Sequence, residues 1–341
     1  MKKKYVPALI GAILLFAALL LVVPLLKKDD KSVEGGALRI GIAVYKGNDT
    51  FVSNIYGSIG DVAGEYEKSA SRRVYLNIAD AQESQATQNE QIARYISLGY
   101  DVLCVNLVDR TDAATVIDMA REANIPIVFF NREPVKEDMQ KWDRIIYVGS
   151  DARESAELEG EIVVGAYKNN PQSIDKNNDG IIQYIMLEGE SRHQDALIRT
   201  EVSVQYMKNR GFVLEKIDGG IANWSRSQSA ALSEIYFNKY GDQIELIICN
   251  NDDMALGAAD TVEKLGLDFN NIVGIDGTPQ GLEAVAKRKM LGTVVVDYHT
   301  QADMIFKLAV ALEQGADPSS VVKVQSDGSV RAPMYIETMS K

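Results

Sequence analysis

The chain has 341 residues, enough for about two domains, and at 46% hydrophobic and 25% charged it has the composition of a globular protein. Its net charge is −12; residues 1–36 carry six lysines against three acids, or +3, so the remainder carries about −15. That sign excludes an electrostatic nucleic-acid binder.

The first element is an apolar, uncharged run from Val6 to Leu26, preceded by Lys2, Lys3 and Lys4 and followed by Lys27 and Lys28. Such a run is long enough to cross a bilayer, whereas a signal-peptide core is typically about 7–15 residues and ends at a small-x-small site. No A-x-A motif follows Leu26 and no cysteine lies nearby to carry a lipid. The run is expected to be an uncleaved signal anchor, with a long cleaved signal as the alternative. The leading lysines favour an inside N-terminus, although the pair after the span weakens that asymmetry. Residues 27–37 read as a short polar tether.

Beyond the tether, short β-branched runs alternate with longer amphipathic ones. The first series is strand Leu38–Tyr45, helix Asp49–Lys68, strand Val74–Ala79, helix Ser84–Leu98, strand Val102–Asn106, helix Thr111–Ala123 and strand Pro126–Phe130. The second is strand Ile181–Leu187, helix Asp195–Asn209, strand Leu214–Ile217, helix Ser225–Phe237, strand Ile244–Cys249, helix Asp252–Leu265 and strand Ile272–Ile275. This alternation implies parallel βαβ units, hence α/β sheets covered by helices on both faces.

The two series repeat each other. Asp49 follows the first strand of one and Asp195 the first strand of the other; Asn106 lies 57 residues beyond Asp49, and Asn251 lies 56 beyond Asp195. Both asparagines sit two residues after a cysteine at the end of a third strand. Two equivalent doubly wound lobes explain this coincidence. Ligands of such sheets bind outside the carboxyl ends of the strands. Two facing lobes would therefore enclose a cleft lined by Asp49, Phe51, Asn106, His193, Asp195, Arg199, Trp224, Asn251 and Asp276. Carboxylates, amides and a guanidinium are directional partners for hydroxyl groups, and two aromatics can cover the apolar faces of a sugar ring. Taken singly, Asp49 and Asp252 read equally well as helix caps, Phe51 and Trp224 as packing, and His193 as structural.

Between the series, Asp175-Lys176-Asn177-Asn178-Asp179-Gly180-Ile181-Ile182-Gln183 has oxygen side chains at positions 1, 3, 5 and 9 and glycine at position 6, the spacing of a calcium loop. Position 12, normally a bidentate glutamate, is Met186, and a plain Asx/Gly turn is the simpler alternative. By spacing, Glu188 and Glu190 are candidates for the missing acid. Cys104 and Cys249 lie in apolar strand runs and read as free core thiols. No G-x-x-x-x-G-K-[ST] or G-x-S-x-G motif occurs, and no nucleophile or catalytic metal set accompanies His193 and Asp195, so the sequence offers no enzyme.

These residues resemble the periplasmic sugar-binding proteins of the pentose/hexose type, in particular their galactose/glucose branch, over about Arg39 to Ile336. The motifs carrying the likeness include I-G-I-A-V-Y-K-x3-T-F-V-S (40–53), I-P-I-V-F-F-N-R-E-P (125–134), D-x-N-x-D-G-x-I-Q (175–183), G-E-x-x-H-x-D-A-x-x-R-T (189–200) and V-G-I-D-G-x-P (273–279). The resemblance implies two lobes on a three-stranded hinge, with lobes 38–130 plus 297–332 and 131–296 plus 333–341. It implies a monosaccharide ligand held by the cleft residues named above. It also implies a structural Ca2+ held by Asp175, Asn177, Asp179, the Ile181 carbonyl, Gln183 and Glu245, the last replacing the missing acid. The expected partner is an ABC permease, or a membrane chemoreceptor or histidine kinase, served by a monomer anchored outside the cytoplasm. Val296 stands where the galactose/glucose branch has asparagine, which puts the preferred sugar in doubt. A regulator with similar lobes would need a DNA-binding head where this chain has its apolar run.

Overall fold

The computed structural model describes residues 36–339. The expected membrane span and all but the last two residues of the tether lie outside them. Among the described residues no helix is long and apolar enough to cross a membrane.

The first lobe starts with β1 (Leu38–Val44), whose Leu38, Ile40, Ile42 and Val44 enter one hydrophobic cluster while Ala43 enters another on the opposite face. A strand buried on both sides has no need of polar alternation, which is why Ile40–Val44 is a continuous apolar run after the exposed Arg39. Gly41 sits against the Tyr95 ring, where a β-carbon would come within 2.6 Å. Helix α1 (Thr50–Ala70) follows, capped by Asp49, whose side chain accepts from the Val52 N–H. Then come β2 (Val74–Asp80), α2 (Gln85–Ser97), β3 (Val102–Val105), α3 (Ala113–Glu122), β4 (Ile127–Phe130), the single turn α4 (Lys136–Met139) and β5 (Ile145–Gly149).

The second lobe comprises α5 (Ala152–Asn169), β6 (Ile182–Glu188), α6 (Gln194–Lys208), β7 (Leu214–Ile221), α7 (Arg226–Tyr240), β8 (Leu246–Cys249), α8 (Asp252–Leu265), β9 (Ile272–Asp276), α9 (Pro279–Ala286) and β10 (Gly292–Val296). The chain returns to the first lobe with α10 (Tyr298–Glu313) and β11 (Ser329–Arg331), then ends in the second with β12 (Met334–Thr338).

The strand orders are β11-β5-β4-β3-β1-β2 and β12-β10-β9-β8-β6-β7, one six-stranded sheet repeated. The first is parallel throughout; in the second only β12 runs antiparallel to its neighbour β10. Cys104 and Cys249 occupy equivalent strands of different sheets, both as buried free thiols.

One expected boundary needs correction. The first lobe does not end at Phe130: Ile145–Gly149 is a further strand of the first sheet, between β4 and β11, so the crossing falls near residue 150. The run Ile145-Ile146-Tyr147-Val148 is buried on both faces and had to join a sheet. Two further crossings follow Val296 and Arg331. The connecting segments are bonded together, Ala332 N–H to the Gly149 carbonyl at 2.9 Å and Asp297 N–H to the Pro333 carbonyl at 3.1 Å. Arg331 donates to Glu133 through Nη1 and Nη2, each at 3.0 Å. Across the cleft, Thr50 Oγ1 donates to Asp253 at 2.6 Å and Arg132 to Glu190 at 2.9 Å, so the lobes meet directly at two points.

Candidate functional site

The carboxyl ends of both sheets face one cleft, lined by Tyr45, Asp49, Phe51, Asn131 and Arg132 from the first lobe and by His193, Asp195, Arg199, Trp224, Asn251 and Asp276 from the second. Parallel strands place every β-to-α connection at the same edge, so residues far apart in sequence converge there.

In the first lobe Asp49 does two things. One carboxylate oxygen caps α1 at the Val52 N–H, 2.8 Å away, and the other accepts from the Tyr45 hydroxyl at 2.5 Å. The cap reading and the site reading are therefore both true of it. Arg132 stacks on the Tyr45 ring, 3.6 Å from its centroid, and donates to the Val108 carbonyl at 2.9 Å. Burial, then Asp49, push the Tyr45 phenol far up, so it stays a neutral donor.

In the second lobe His193 caps α6, its Nδ1 accepting from the Asp195 N–H at 3.2 Å. Burial, reinforced by Arg132, Arg199 and Arg110, holds the imidazole well below its usual pKa. A neutral ring whose Nδ1 accepts must carry its proton on Nε2, a donor available for a ligand. Trp224 packs edge-on against that ring, centroids 5.1 Å apart. Its indole covers Gly189 so closely that a β-carbon there would come within 2.3 Å of it, so residue 189 has to be glycine.

Arg199 is the hub. Its Nη1 donates to the Asn250 carbonyl at 2.9 Å and lies 3.9 Å from Asp276, while Nη2 lies 3.9 Å from Asp195. At that spacing the guanidinium and carboxylates bond neither tightly nor exclusively, and a hydroxyl can accept from one and donate to the other. Burial raises both Asp195 and Asp276 above the normal carboxylate range, with Arg199 pulling back. Asp276 has φ +125°, a strained conformation for a non-glycine residue of the kind found at ligand-holding positions. Asn251 caps α8 through Oδ1, 3.0 Å from the Met254 N–H.

One expected residue lies elsewhere, and three further residues line the cleft. Asn106 does not line the cleft: it is fully buried, accepts from Tyr45 N–H at 3.3 Å, and donates to the Phe130 carbonyl and to Asn131 Oδ1 at 3.1 Å. Its role is to support Asn131. Conversely Tyr45, Asn131 and Arg132 were not expected. The signal was present, because β4 is the repeat counterpart of β9 and residue 131 falls where Asp276 does, but ending the lobe at Phe130 hid it. Val296 is fully buried in β10 and is not among the lining residues.

A second polar cluster lies away from the cleft, at 175–183. Gly180 (φ +82°) and Asn178 (φ +58°) turn the backbone sharply. Asp175 accepts from the Asp179 and Gly180 N–H groups, Asn177 and Gln183 both donate to Asp179, and Asp179 accepts from the Ile181 N–H at 2.7 Å. Glu245 reaches in from the start of β8 and accepts from the Lys176 (2.6 Å), Asn177 (3.1 Å) and Gln183 (3.2 Å) N–H groups. Glu188 instead pairs with Lys216, and Glu190 with Arg132 across the cleft. Among the described residues no three His, Cys, Asp or Glu side chains gather as a metal cluster on their own. Two amide side chains and a main-chain carbonyl would complete the oxygen set, the chemistry a hard cation takes.

Two like sheets, three crossing segments and a polar cleft between them define a two-lobed binding protein. Residues 40–317 match the periplasmic binding protein domain, and the chain belongs to that family. It is 34% identical over 298 residues to the D-galactose/methyl-galactoside binding periplasmic protein MglB of Haemophilus influenzae, covering 86% of this chain and 88% of that one. It is 25% identical over 339 residues to the ribose import binding protein RbsB of Bacillus subtilis, covering 99% of each chain. Among solved structures, an ABC transporter solute binding protein of Bacillus halodurans with bound myo-inositol superposes with TM-score 0.72 at 28% identity, covering 89% of this chain and 96% of that one.

Proposed function

We propose that this protein binds a monosaccharide, a galactose- or glucose-type hexose or a related six-membered cyclic polyol, between its lobes outside the cytoplasm and delivers it to an ABC permease. The observation that carries this reading is the cleft itself. Phe51 and Trp224 come from opposite lobes, and the same cleft is lined by Asp49, Asp195 and Asp276 as acceptors with Arg199, Arg132 and His193 Nε2 as donors. Ring hydroxyls each donate and accept, so they satisfy buried groups of both kinds at once. A galactoside-binding relative at 34% identity and an inositol-bound neighbour at 28% both handle six-membered hydroxylated rings, which supports that ligand class. Ligand contacts made by both lobes favour the closed arrangement, and the permease reads that state.

In the same reading, Asp175, Asn177, Asp179, the Ile181 carbonyl, Gln183 and Glu245 hold Ca2+, which offsets two of their three negative charges and ties β8 to the loop. That cluster shares no residue with the cleft, so its cation stabilises the second lobe and takes no part in ligand contact. Val6–Leu26 tethers the protein to the outer face of the membrane. Calorimetry against hexoses, pentoses and inositols tests the main claim: saturable binding of one of them is expected, and no binding to any would sink it.

A further inference from the structure

Asp276 reaches the cleft from a strained backbone. Its φ is +125° and that of Gly277 is +66°, so two residues of positive φ follow each other at the end of β9. Such conformations persist only where the surroundings over-determine them. One end of this turn is fixed by the sheet, in which Asp276 pairs with Val295 of β10. The other end is fixed by a side chain. Asp252, completely buried in the first turn of α8, accepts through one carboxylate oxygen from the Thr278 N–H at 2.7 Å and the Thr278 hydroxyl at 3.1 Å. Its other oxygen accepts from the Thr293 hydroxyl of β10 at 2.6 Å. The Thr278 hydroxyl in turn accepts from the Gly281 N–H at 3.1 Å, which ties the start of α9 to the same point. The fit is tight: a β-carbon on Gly281 would come within 2.2 Å of the Asp252 carboxylate. Three donors converging on one buried carboxylate satisfy it in place.

We propose that Asp252 is a positioning residue for the binding site: its bonds to Thr278 clamp the turn 276–278 and so hold the Asp276 carboxylate at the cleft. The inference rests on reading Asp276 as a ligand-binding group. Asp252 itself is not among the residues that line the cleft. It directly follows Asn251, which lines the cleft and caps α8. One helix start therefore carries both a ligand-facing amide and the brace for a ligand-facing carboxylate. Coupling the two fixes the spacing of groups that address the same ligand, which directional recognition of hydroxyls needs. The two oxygens of Asp252 divide the work. The bond to Thr293 joins α8 to β10 and serves the fold, whereas the bonds to Thr278 govern the strained turn.

The test compares three variants of the full-length protein by calorimetry with D-galactose, D-glucose or myo-inositol, whichever wild type binds. Asp252→Asn keeps an oxygen for Thr278 and offers its amide to the Thr293 hydroxyl, so affinity should stay within about threefold of wild type. Asp252→Ala frees the turn, and affinity should fall about tenfold or more. Thr293→Val removes a bond to the same carboxylate but leaves Thr278 held; the melting temperature should fall while affinity stays within about threefold. Unchanged affinity in Asp252→Ala overturns the proposal, as does a tenfold loss in Asp252→Asn. An equal loss in Thr293→Val also overturns it, because affinity would then merely follow stability. Ligand-free carbon-13 shifts of Asp276 and Gly277 report their backbone angles. They should move in Asp252→Ala and match wild type in the other two, and shifts unmoved in Asp252→Ala overturn the clamp. If Asp252→Ala does not fold, amide exchange of wild type decides: the Thr278 N–H should exchange only through global unfolding, and exchange by local opening overturns the clamp. If wild type binds none of these ligands, the functional reading fails, and the shifts and exchange still decide whether Asp252 holds the turn.

Discussion

Glu245→Ala perturbs the structure at the point where a distant strand grips the 175–183 loop. Its carboxylate is 1% exposed and accepts three main-chain N–H bonds, from Lys176, Asn177 and Gln183. Alanine removes both acceptor oxygens and leaves the three donors in a site too closed for full rehydration. At about 1–3 kcal/mol for each orphaned donor, with solvent recovering part of the loss at the loop side, the expected cost is roughly 3–6 kcal/mol. That is a large share of the roughly 5–15 kcal/mol that holds a domain folded. Urea unfolding in calcium and in chelator reads both parts of the argument. Wild type should gain stability from calcium, and Glu245→Ala should lose both the baseline stability and the calcium increment. A loss below about 1 kcal/mol refutes the clasp. A wild-type curve indifferent to calcium refutes the cation while leaving the clasp intact.

Asp195→Ala should abolish ligand binding by calorimetry, whereas Lys176→Ala, in the loop, should leave affinity unchanged; the reverse pattern contradicts the division between cleft and clasp. Asp252 is buried against Thr278 and Thr293, and burial lifts its pKa from 3.8 to about 7. A raised carboxyl stabilises the fold below about pH 4 and loses that contribution as pH climbs through 7, up to about 4 kcal/mol at 1.36 kcal/mol per unit. Asp252→Asn should therefore flatten the fall in melting temperature between pH 4 and 7, and an unchanged slope would count against it. Arg132→Met removes the cross-cleft bond to Glu190. Because Glu190 is part-exposed, the effect is modest, about 1 kcal/mol, and small-angle scattering should show a larger ligand-free radius of gyration; an unaltered radius means the bridge does not hold the lobes together.

The repeat was legible because its inner strands, such as Val102–Val105 and Leu246–Cys249, are wholly apolar, and because Asp and Asn residues recur at one topological position. Asp49, Asp195, Asn251 and Asp276 followed from strand order alone. Glu245 did not: spacing pointed to Glu188 and Glu190, and only a strand pairing 60 residues away brings Glu245 to the loop. Residues 131–169 were also opaque. Ile145–Gly149 sits beyond a short helical turn, without the long helix that marks the other βαβ units, so the alternation seemed to stop at Phe130. That lost strand concealed Asn131 and Arg132. Asn106 shows the converse limit, since a residue at the right strand end can face inward and hold up its neighbour.

The claim that a hydroxylated ring lies between Phe51 and Trp224 is tested most directly by tryptophan fluorescence. The sequence has two tryptophans, Trp142 and Trp224, and only Trp224 lines the cleft. With Trp142→Phe removing the other signal, titration of the calorimetrically identified sugar should shift Trp224 emission saturably, with the calorimetric Kd. A sugar that binds by calorimetry yet leaves Trp224 emission unchanged would contradict the account.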